Sequence, residues 1–370
     1  MLVMLTVLTF TPKLWGTLAP DLSSHFYDEF CYLSSYVNLV VMVEGVEVRV
    51  DAEKLPFKVI SVPGSRLPKI RGLSRLACFP ILTRLLDFEV IYLRTFSPHE
   101  LLSSLVSSRP IVLRVIGTWI FEPPTMRNKV YLRLYRKVLE KAKFIVPYSY
   151  SQLEGLLRYH FNIDPSKVVV IPNALNLTRL RKYAAFRSMI RAKLGAATDE
   201  VIVMFVGAIT YRKGVHILFD AWRRLSQDTK ARLVLIGRID KNYLSRLKIP
   251  RKVQIVGPIP NERIGEYLSA ADVFVLPSIG GEGVSRATLE ALALGLPLIV
   301  TDVGGMRELS GAALLIKPGD PNQLAQALSQ LLRSEELRKE LSRKAKAFVE
   351  RFSWEEVIPK LVTLFKEAVK

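Results

Sequence analysis

The chain has 370 residues, 49% of them hydrophobic and 24% charged, and its 53 Lys and Arg against 34 Asp and Glu leave a net charge of +19. These proportions exclude a disordered, collagen-like or low-complexity chain, and the length supports two or three domains with apolar cores of their own. Cys31 and Cys78 with four scattered histidines make neither a disulfide framework nor a zinc site, and the positive balance points to polyanionic partners: phosphorylated substrates, an acidic membrane surface or nucleic acid. The apolar opening, residues 1–10, is too short to cross a bilayer and lacks the charged start of a signal peptide. A cytoplasmic chain, peripheral at most on the inner face of a membrane, is expected.

In chain order, residues 2–10, 37–43, 57–62, 89–93, 110–117 and 144–146 read as strands, and 127–143 as a basic amphipathic helix. The Pro172-Asn173 turn and the cationic stretch after it mark a domain junction. The second half alternates more clearly. Strands are expected at 201–209, 231–237, 252–257, 272–277, 297–303 and 312–318, and helices at 214–228, from a cap at Asn261 to 271, at 285–294, and after Asp320-Pro321. Continuous Val/Ile/Leu runs separated by helices predict parallel strands covered on both faces. Ser353 with Glu356 forms a capping box for a last helix, 354–370.

Ligands of such sheets bind beyond the carboxyl ends of the strands, and the unusual residues fall there. The strand at 201–209 runs into Thr210-Tyr211-Arg212-Lys213-Gly214, two cations beside the free N–H groups of a helix start, which suits a phosphate. The strand at 272–277 runs into Ser278-Ile279-Gly280-Gly281-Glu282-Gly283-Val284-Ser285-Arg286. A Gly-rich loop opening a helix suits a diphosphate, Glu290 further along that helix is placed to accept hydrogen bonds from a pair of sugar hydroxyls, and Glu282 faces whatever the phosphate carries. No Gly-x-Gly-x-x-Gly follows the first strand, which argues against NAD.

These segments, with Val170-Ile171-Pro172-Asn173, Ile255-Val256-Gly257, Ala271-Asp272-Val273, Gly295-Leu296-Pro297, Gly304-Gly305 and Phe352-Ser353-Trp354, follow one another in a known order. The chain resembles the retaining GT-B glycosyltransferases of family 4, the "glycosyl transferases group 1" type, and the Glu282-x7-Glu290 spacing is the most specific feature of the likeness. The resemblance implies two doubly wound Rossmann-like domains facing each other across a cleft, 1–173 on the acceptor side and 174–353 on the nucleotide-sugar side, with the helix 354–370 crossing back to the first.

It also implies roles. Glu290 would hold the ribose hydroxyls and Glu282 the donor sugar, while Lys213 and Arg212 would neutralise the diphosphate. Backbone at Gly207, Gly257, Pro258 and Ile259 and the amides of Gly283, Val284, Ser285 and Arg286 would line the donor site. The reaction implied is transfer of a hexosyl group from a nucleotide diphosphate sugar to a hydroxyl, with retention, no catalytic metal and no cofactor besides the donor. Three departures from the family pattern involve four positions. Ala208 replaces an Arg, Ser285 and Arg286 replace a Gly and an apolar residue, and Ile116 stands where many members carry a His, leaving Gly117 and Thr118 as the first-domain candidates. With these departures, a non-catalytic nucleotide- or membrane-binding module and a nucleotide-sugar epimerase of the same fold stay open as alternatives.

Two stretches concentrate cations among apolar residues: Arg66, Lys69, Arg71, Arg75 and Arg84, and Arg127, Lys129, Arg133, Arg136, Lys137, Lys141 and Lys143. They suit an anionic leaflet, and with it a lipid-linked or cell-envelope glycan as acceptor. Neither stretch carries aromatic stacking platforms in a nucleic-acid-binding order, so a nucleic acid partner is not expected.

Overall fold

In the computed structural model, the residues described are 4–11, 25–44, 55–62, 68–94, 97–115, 129–159, 163–225, 229–280 and 283–370. They form two units, Met1–Ala174 with Trp354–Lys370, and Leu175–Ser353. Each is built on one six-stranded sheet whose pairings are all parallel among the described residues.

In the first unit β1 (Thr6–Thr11), β2 (Asn38–Glu44), β3 (Lys58–Val62), β4 (Val90–Leu93), β5 (Ile111–Val115) and β6 (Phe144–Pro147) stand in the order β3-β2-β1-β4-β5-β6. Between them run α1 (His25–Ser34), α2 (Pro68–Leu85), α3 (Pro98–Val106), α4 (Lys129–Lys141) and α5 (Tyr150–Tyr159). Successive strand residues point to opposite faces, so the uninterrupted apolar runs feed two cores. Val7, Val41, Val90 and Val112 pack on one face, and Leu8, Phe10, Ile91 and Leu113 on the other with Phe79, Leu101, Tyr135 and Leu156 from α2–α5.

The second unit begins with α6 (Leu177–Lys182) and α7 (Arg187–Lys193). Its strands β7 (Val201–Val206), β8 (Ala231–Ile236), β9 (Val253–Gly257), β10 (Val273–Leu276), β11 (Leu298–Thr301) and β12 (Ala313–Ile316) stand in the order β12-β11-β10-β7-β8-β9. Its remaining helices are α8 (Val215–Arg223), α9 (Lys241–Leu244), α10 (Ile264–Ser269), α11 (Arg286–Ala293), α12 (Pro321–Arg333) and α13 (Glu335–Val349). The Asp272 carboxylate, leading into β10, holds α7 to the sheet: Arg191 Nη1 lies at 3.0 Å and the Ile202 N–H at 2.8 Å, with Arg187 as a third partner. In both sheets the winding reverses beside the first strand, between β1 and β4 and between β7 and β10. Those reversals open the crevices where parallel sheets take ligands.

The last helix, α14 (Trp354–Ala368), returns to the first unit. Trp354, Val357, Ile358, Leu361, Val362, Leu364 and Phe365 cover the Val7–Val41 face, and the Trp354 ring stacks on Tyr32 with centroids 5.9 Å apart.

The strands are shorter than the apolar runs suggest. The run 201–209 pairs continuously only to Val206, because the backbone turns at Gly207, and Ile209 returns as a single bridge to Ile239. Asn261 does not cap a helix. It opens a 3₁₀ turn, Asn261–Arg263, behind Pro260, and α10 starts at Ile264. The helix expected at 214–228 ends at Arg223, with 226–228 outside the described residues.

Candidate functional site

Three glycines at the carboxyl ends of β7, β8 and β9 make a ledge without side chains. Gly207 N–H donates to the Ile236 carbonyl and Gly237 N–H to the Gly257 carbonyl, each at 2.9 Å. Gly237 adopts φ +141°, and any Cβ on it would overlap the Gly207 carbonyl. A ligand can therefore approach the backbone along this edge. Gly207 and Gly257 are expected here from sequence. Gly237 is an addition, and its signal is the same as theirs: a glycine directly after an apolar strand.

From Gly207 the chain turns through Tyr211, Arg212 and Lys213 to Gly214, the N-cap of α8. Gly214 has φ +70°, and a Cβ there would collide with the Pro277 carbonyl, so the loop after β7 lies directly against the loop after β10. The Ile279 N–H donates to the Arg212 carbonyl at 2.9 Å and fastens the two. Lys213, half-buried, brings its Cε to 3.9 Å from the Cβ position of Gly207. Arg212 is exposed. Tyr211 stacks on His216 at 4.5 Å and 6°, and the His216 Nδ1 meets the Tyr243 hydroxyl of α9 at 2.8 Å. Burial holds the imidazole below its usual pKa and so favours the neutral ring.

Beyond β10, Ser278 is buried and its carbonyl accepts from the Thr301 hydroxyl at 2.6 Å, tying the loop to β11. Gly281 and Glu282 lie outside the described residues. The chain continues at Gly283 and Val284, seated on the Gly304-Gly305 turn, where a Cβ on Gly305 would stand 2.8 Å from the Val284 nitrogen. Ser285 is the N-cap of α11 and accepts from the Thr288 N–H at 3.2 Å.

Glu290 follows one turn into α11 with only 3% of its surface exposed. Its Oε1 accepts from Arg286 Nε at 2.7 Å, and no other hydrogen bond reaches the carboxylate from the described residues. Burial raises its pKa, against the opposing pull of Arg286 and, more weakly, Arg179. Tyr183, whose hydroxyl donates to the Glu262 carbonyl at 2.9 Å, feels the charges of Arg179, Glu290, Glu266 and Arg286 together. The carboxylate thus lies in a setting made by α6, α10, α11 and the 3₁₀ turn Tyr183–Phe186. Sequence reasoning did not assign Arg179 or Tyr183 to the site, since both lie more than a hundred positions upstream. Their one signal was the cationic stretch after the Pro-Asn turn.

In the second unit Gly207 and Lys213 follow β7, and Gly283, Val284, Ser285, Arg286 and Glu290 follow β10, the two strands that flank the reversal, with Gly257, half-buried Ile259 and exposed Pro258 at the end of β9. In the first unit, Ile116, Gly117 and Thr118 lie outside the described residues. The carboxyl ends of β4 and β5 there carry two buried guanidiniums. Arg94 pairs with Glu29 at 2.8 Å. Arg114 donates to the Pro172 carbonyl at 2.7 Å and lies 4.0 Å over the Tyr148 ring. Among the described residues no three His, Cys, Asp or Glu side chains converge as metal ligands.

Residues 186–348 match the family model of the glycosyl transferases group 1. TuaC of Bacillus subtilis, a glycosyltransferase named for teichuronic acid biosynthesis, is 34% identical over 223 residues, covering 60% of this chain and 54% of that protein. Matches of this kind span about half the length of the curated relatives concerned. The uncharacterized glycosyltransferase MJ1178 of Methanocaldococcus jannaschii aligns further, at 29% identity over 349 residues, 89% of this chain and 92% of that one. Among solved structures, HepE of Anabaena in complex with UDP superposes with a TM-score of 0.77 at 17% identity over 99% of this chain and 100% of that one. That likeness establishes the fold, GT-B. The segment matched by the glycosyl transferases group 1 model carries β7, β10 and α11 of the second unit.

Proposed function

We propose that the protein is a glycosyltransferase that moves a hexosyl group from a nucleoside diphosphate sugar to a hydroxyl acceptor, with retention and without a catalytic metal. The observation that carries the reading is Glu290: a buried carboxylate one turn inside a helix whose N-terminus and approach loop sit at the sheet's reversal point. Its one hydrogen bond comes from Arg286, which leaves acceptor capacity on the buried carboxylate for a ligand. Glu290 accepts hydrogen bonds from the ribose hydroxyls, and the first-turn amides of α11 meet the diphosphate. The ledge at Gly257–Ile259 receives the base. Lys213, with Arg212, stabilises the negative charge that grows on the leaving diphosphate, the task a divalent cation performs in other transferases. Glu282 is assigned to the donor sugar and Gly117 and Thr118 to the first-unit side.

In the reaction the C1–O bond to the diphosphate breaks while the acceptor oxygen bonds C1 from the same face. The acceptor proton passes to a phosphate oxygen, so the products are a glycoside and a nucleoside diphosphate. The relative named for teichuronic acid biosynthesis and the cationic α4 support a glycan acceptor held at an anionic membrane. Tyr135, Val138 and Leu139 of α4 are buried while Arg133, Arg136 and Lys137 face outward. Lys141 takes no part in that surface: its ammonium caps α3 through the carbonyls of Ser104 at 3.0 Å and Leu105 at 2.8 Å. Among the described residues no helix is long and apolar enough to cross a membrane.

Thermal shift with UDP, GDP, ADP and their sugar conjugates tests the reading. One nucleotide class at a hundred times its Kd should stabilise the protein by about 2.7 kcal/mol, and Glu290→Ala should abolish the shift. Lys213→Ala should retain binding and lower turnover by about 100-fold. No shift with any nucleotide, or a shift indifferent to Glu290→Ala, would sink it.

A further inference from the structure

A cavity of about 500 Å³ opens at the end of the second unit's sheet opposite the glycine ledge, where β8 and β9 begin and α8 stops. Its floor is apolar: Trp222 and Ala231 are buried and Leu225 is half-buried. One wall is the segment Lys248-Ile249-Pro250-Arg251-Lys252. Two features fix that wall. The Trp222 indole N–H donates to the Arg251 carbonyl at 3.2 Å. Lys252 takes φ +56°, a left-handed conformation that a long side chain seldom adopts. It is held there by its ammonium on the Thr229 carbonyl at 2.9 Å and by the Leu233 N–H on its own carbonyl at 3.0 Å. The cavity is thus preformed, and its size is that of small-ligand sites.

The chemistry of the lining selects the ligand. Arg223, Lys248, Arg251 and Lys252 all border the cavity, and none of the described lining residues is acidic. Asp220 answers Arg223 at 2.6 Å, and the Lys252 ammonium is committed to Thr229. Lys248 and Arg251 are exposed, and their side chains make no hydrogen bond or ion pair among the described residues. Between them Ile249 leaves 47% of its surface in water beside the apolar floor. Two cations without partners, on the rim of an apolar pocket, match a molecule that is anionic at one end and aliphatic at the other. We propose that this cavity binds an amphiphilic phosphate, an aliphatic chain carrying a phosphate ester. The phosphate meets Lys248 and Arg251 through charge-assisted hydrogen bonds, and the chain leaves water against Trp222, Leu225 and Ile249. The site is separate from the donor crevice at the carboxyl ends of the strands, and it stands independently of the nucleotide-sugar reading.

Calorimetry of the full chain with hexyl phosphate, hexanol and inorganic phosphate tests it, with melting temperature as the control for folding. Hexyl phosphate should bind, and hexanol and phosphate should each bind at least about tenfold more weakly, since each lacks one half of the recognition. The double variant Lys248→Ser/Arg251→Ser should weaken hexyl phosphate by about tenfold or more, and Ile249→Ser should weaken it to a lesser degree. Lys339→Ser/Lys344→Ser removes the same charge from α13 and should leave the affinity unchanged. No binding of hexyl phosphate overturns the site, as does phosphate alone binding as tightly. An affinity untouched by Lys248→Ser/Arg251→Ser, or lowered equally by the α13 variant, overturns it too. Vesicles of phosphatidylcholine with phosphatidic acid then identify the source of the ligand. Co-sedimentation lost in Lys248→Ser/Arg251→Ser places the amphiphile in a bilayer, and hexyl phosphate binding without co-sedimentation places it in solution; both uphold the cavity.

Discussion

Glu290 sets the terms at the scale of single residues. Burial is the largest influence on it and raises its pKa, while Arg286 and then Arg179 pull it down. The folded protein therefore holds this proton more tightly than the unfolded chain, whose Glu titrates near about 4.3. Ionising the group costs stability: the cost is absent below the unfolded value, grows as pH rises through the raised folded one, and is fully present above it. Glu290→Gln should leave the ligand-free protein at least as stable as wild type at pH 8, with the two melting curves converging below about pH 4. The same variant should lose nucleoside diphosphate binding by about tenfold or more. A fall in Tm at pH 8 would show that the carboxylate stabilises the fold and is not a cost borne for a ligand. Wild-type binding should likewise fade as pH falls and the carboxylate takes up its proton. Glu290 and Lys213 were legible in the sequence because each follows a strand by a short, patterned distance. Arg179 and Tyr183 were not, because only the packing of α6 and its following turn brings them to α11.

At the scale of elements, the site depends on two loops that touch through backbone. Gly214 meets the Pro277 carbonyl with no room for a Cβ, at a φ of +70° that other residues adopt only under strain. Gly214→Ala should therefore destabilise the second unit by about 2–4 kcal/mol. It should also weaken nucleotide binding, because the Lys213 loop has to retreat from the loop that leads to α11. Urea denaturation with a nucleotide titration checks both effects; a loss below about 0.5 kcal/mol would mean the loops have slack. Strands and helices of this unit were readable from their periodicity, but their ends were not. The apolar runs continue past the last ladder bond into Gly207 and Gly237, and hydrophobicity does not register a change in backbone direction.

At the scale of the whole molecule, the last helix belongs to the unit that the first strand begins. Seven side chains of α14, Trp354, Val357, Ile358, Leu361, Val362, Leu364 and Phe365, cover one face of the β1–β6 sheet. Burial of each contributes about 1.5–3 kcal/mol, which together rivals the entire 5–15 kcal/mol by which a domain is stable. A chain ending at Ser353 should lose amide protection across β1–β6 while β7–β12 keep theirs, as hydrogen exchange would show. Intact protection in β1–β6 would contradict this account.

The sequence by itself determined the fold class, the alternation of strand and helix, and which segments carry glycine, cation and carboxylate. Those features are local: periodicity, turn chemistry and short spacings are written in neighbouring residues. Only the tertiary structure decided that the carboxylate of Glu290 is buried, that Arg286 meets it and Arg179 lies near enough to act on its charge, and that Lys141 caps α3. Burial and charge pairing depend on which distant elements pack together, and a linear pattern does not hold that distance.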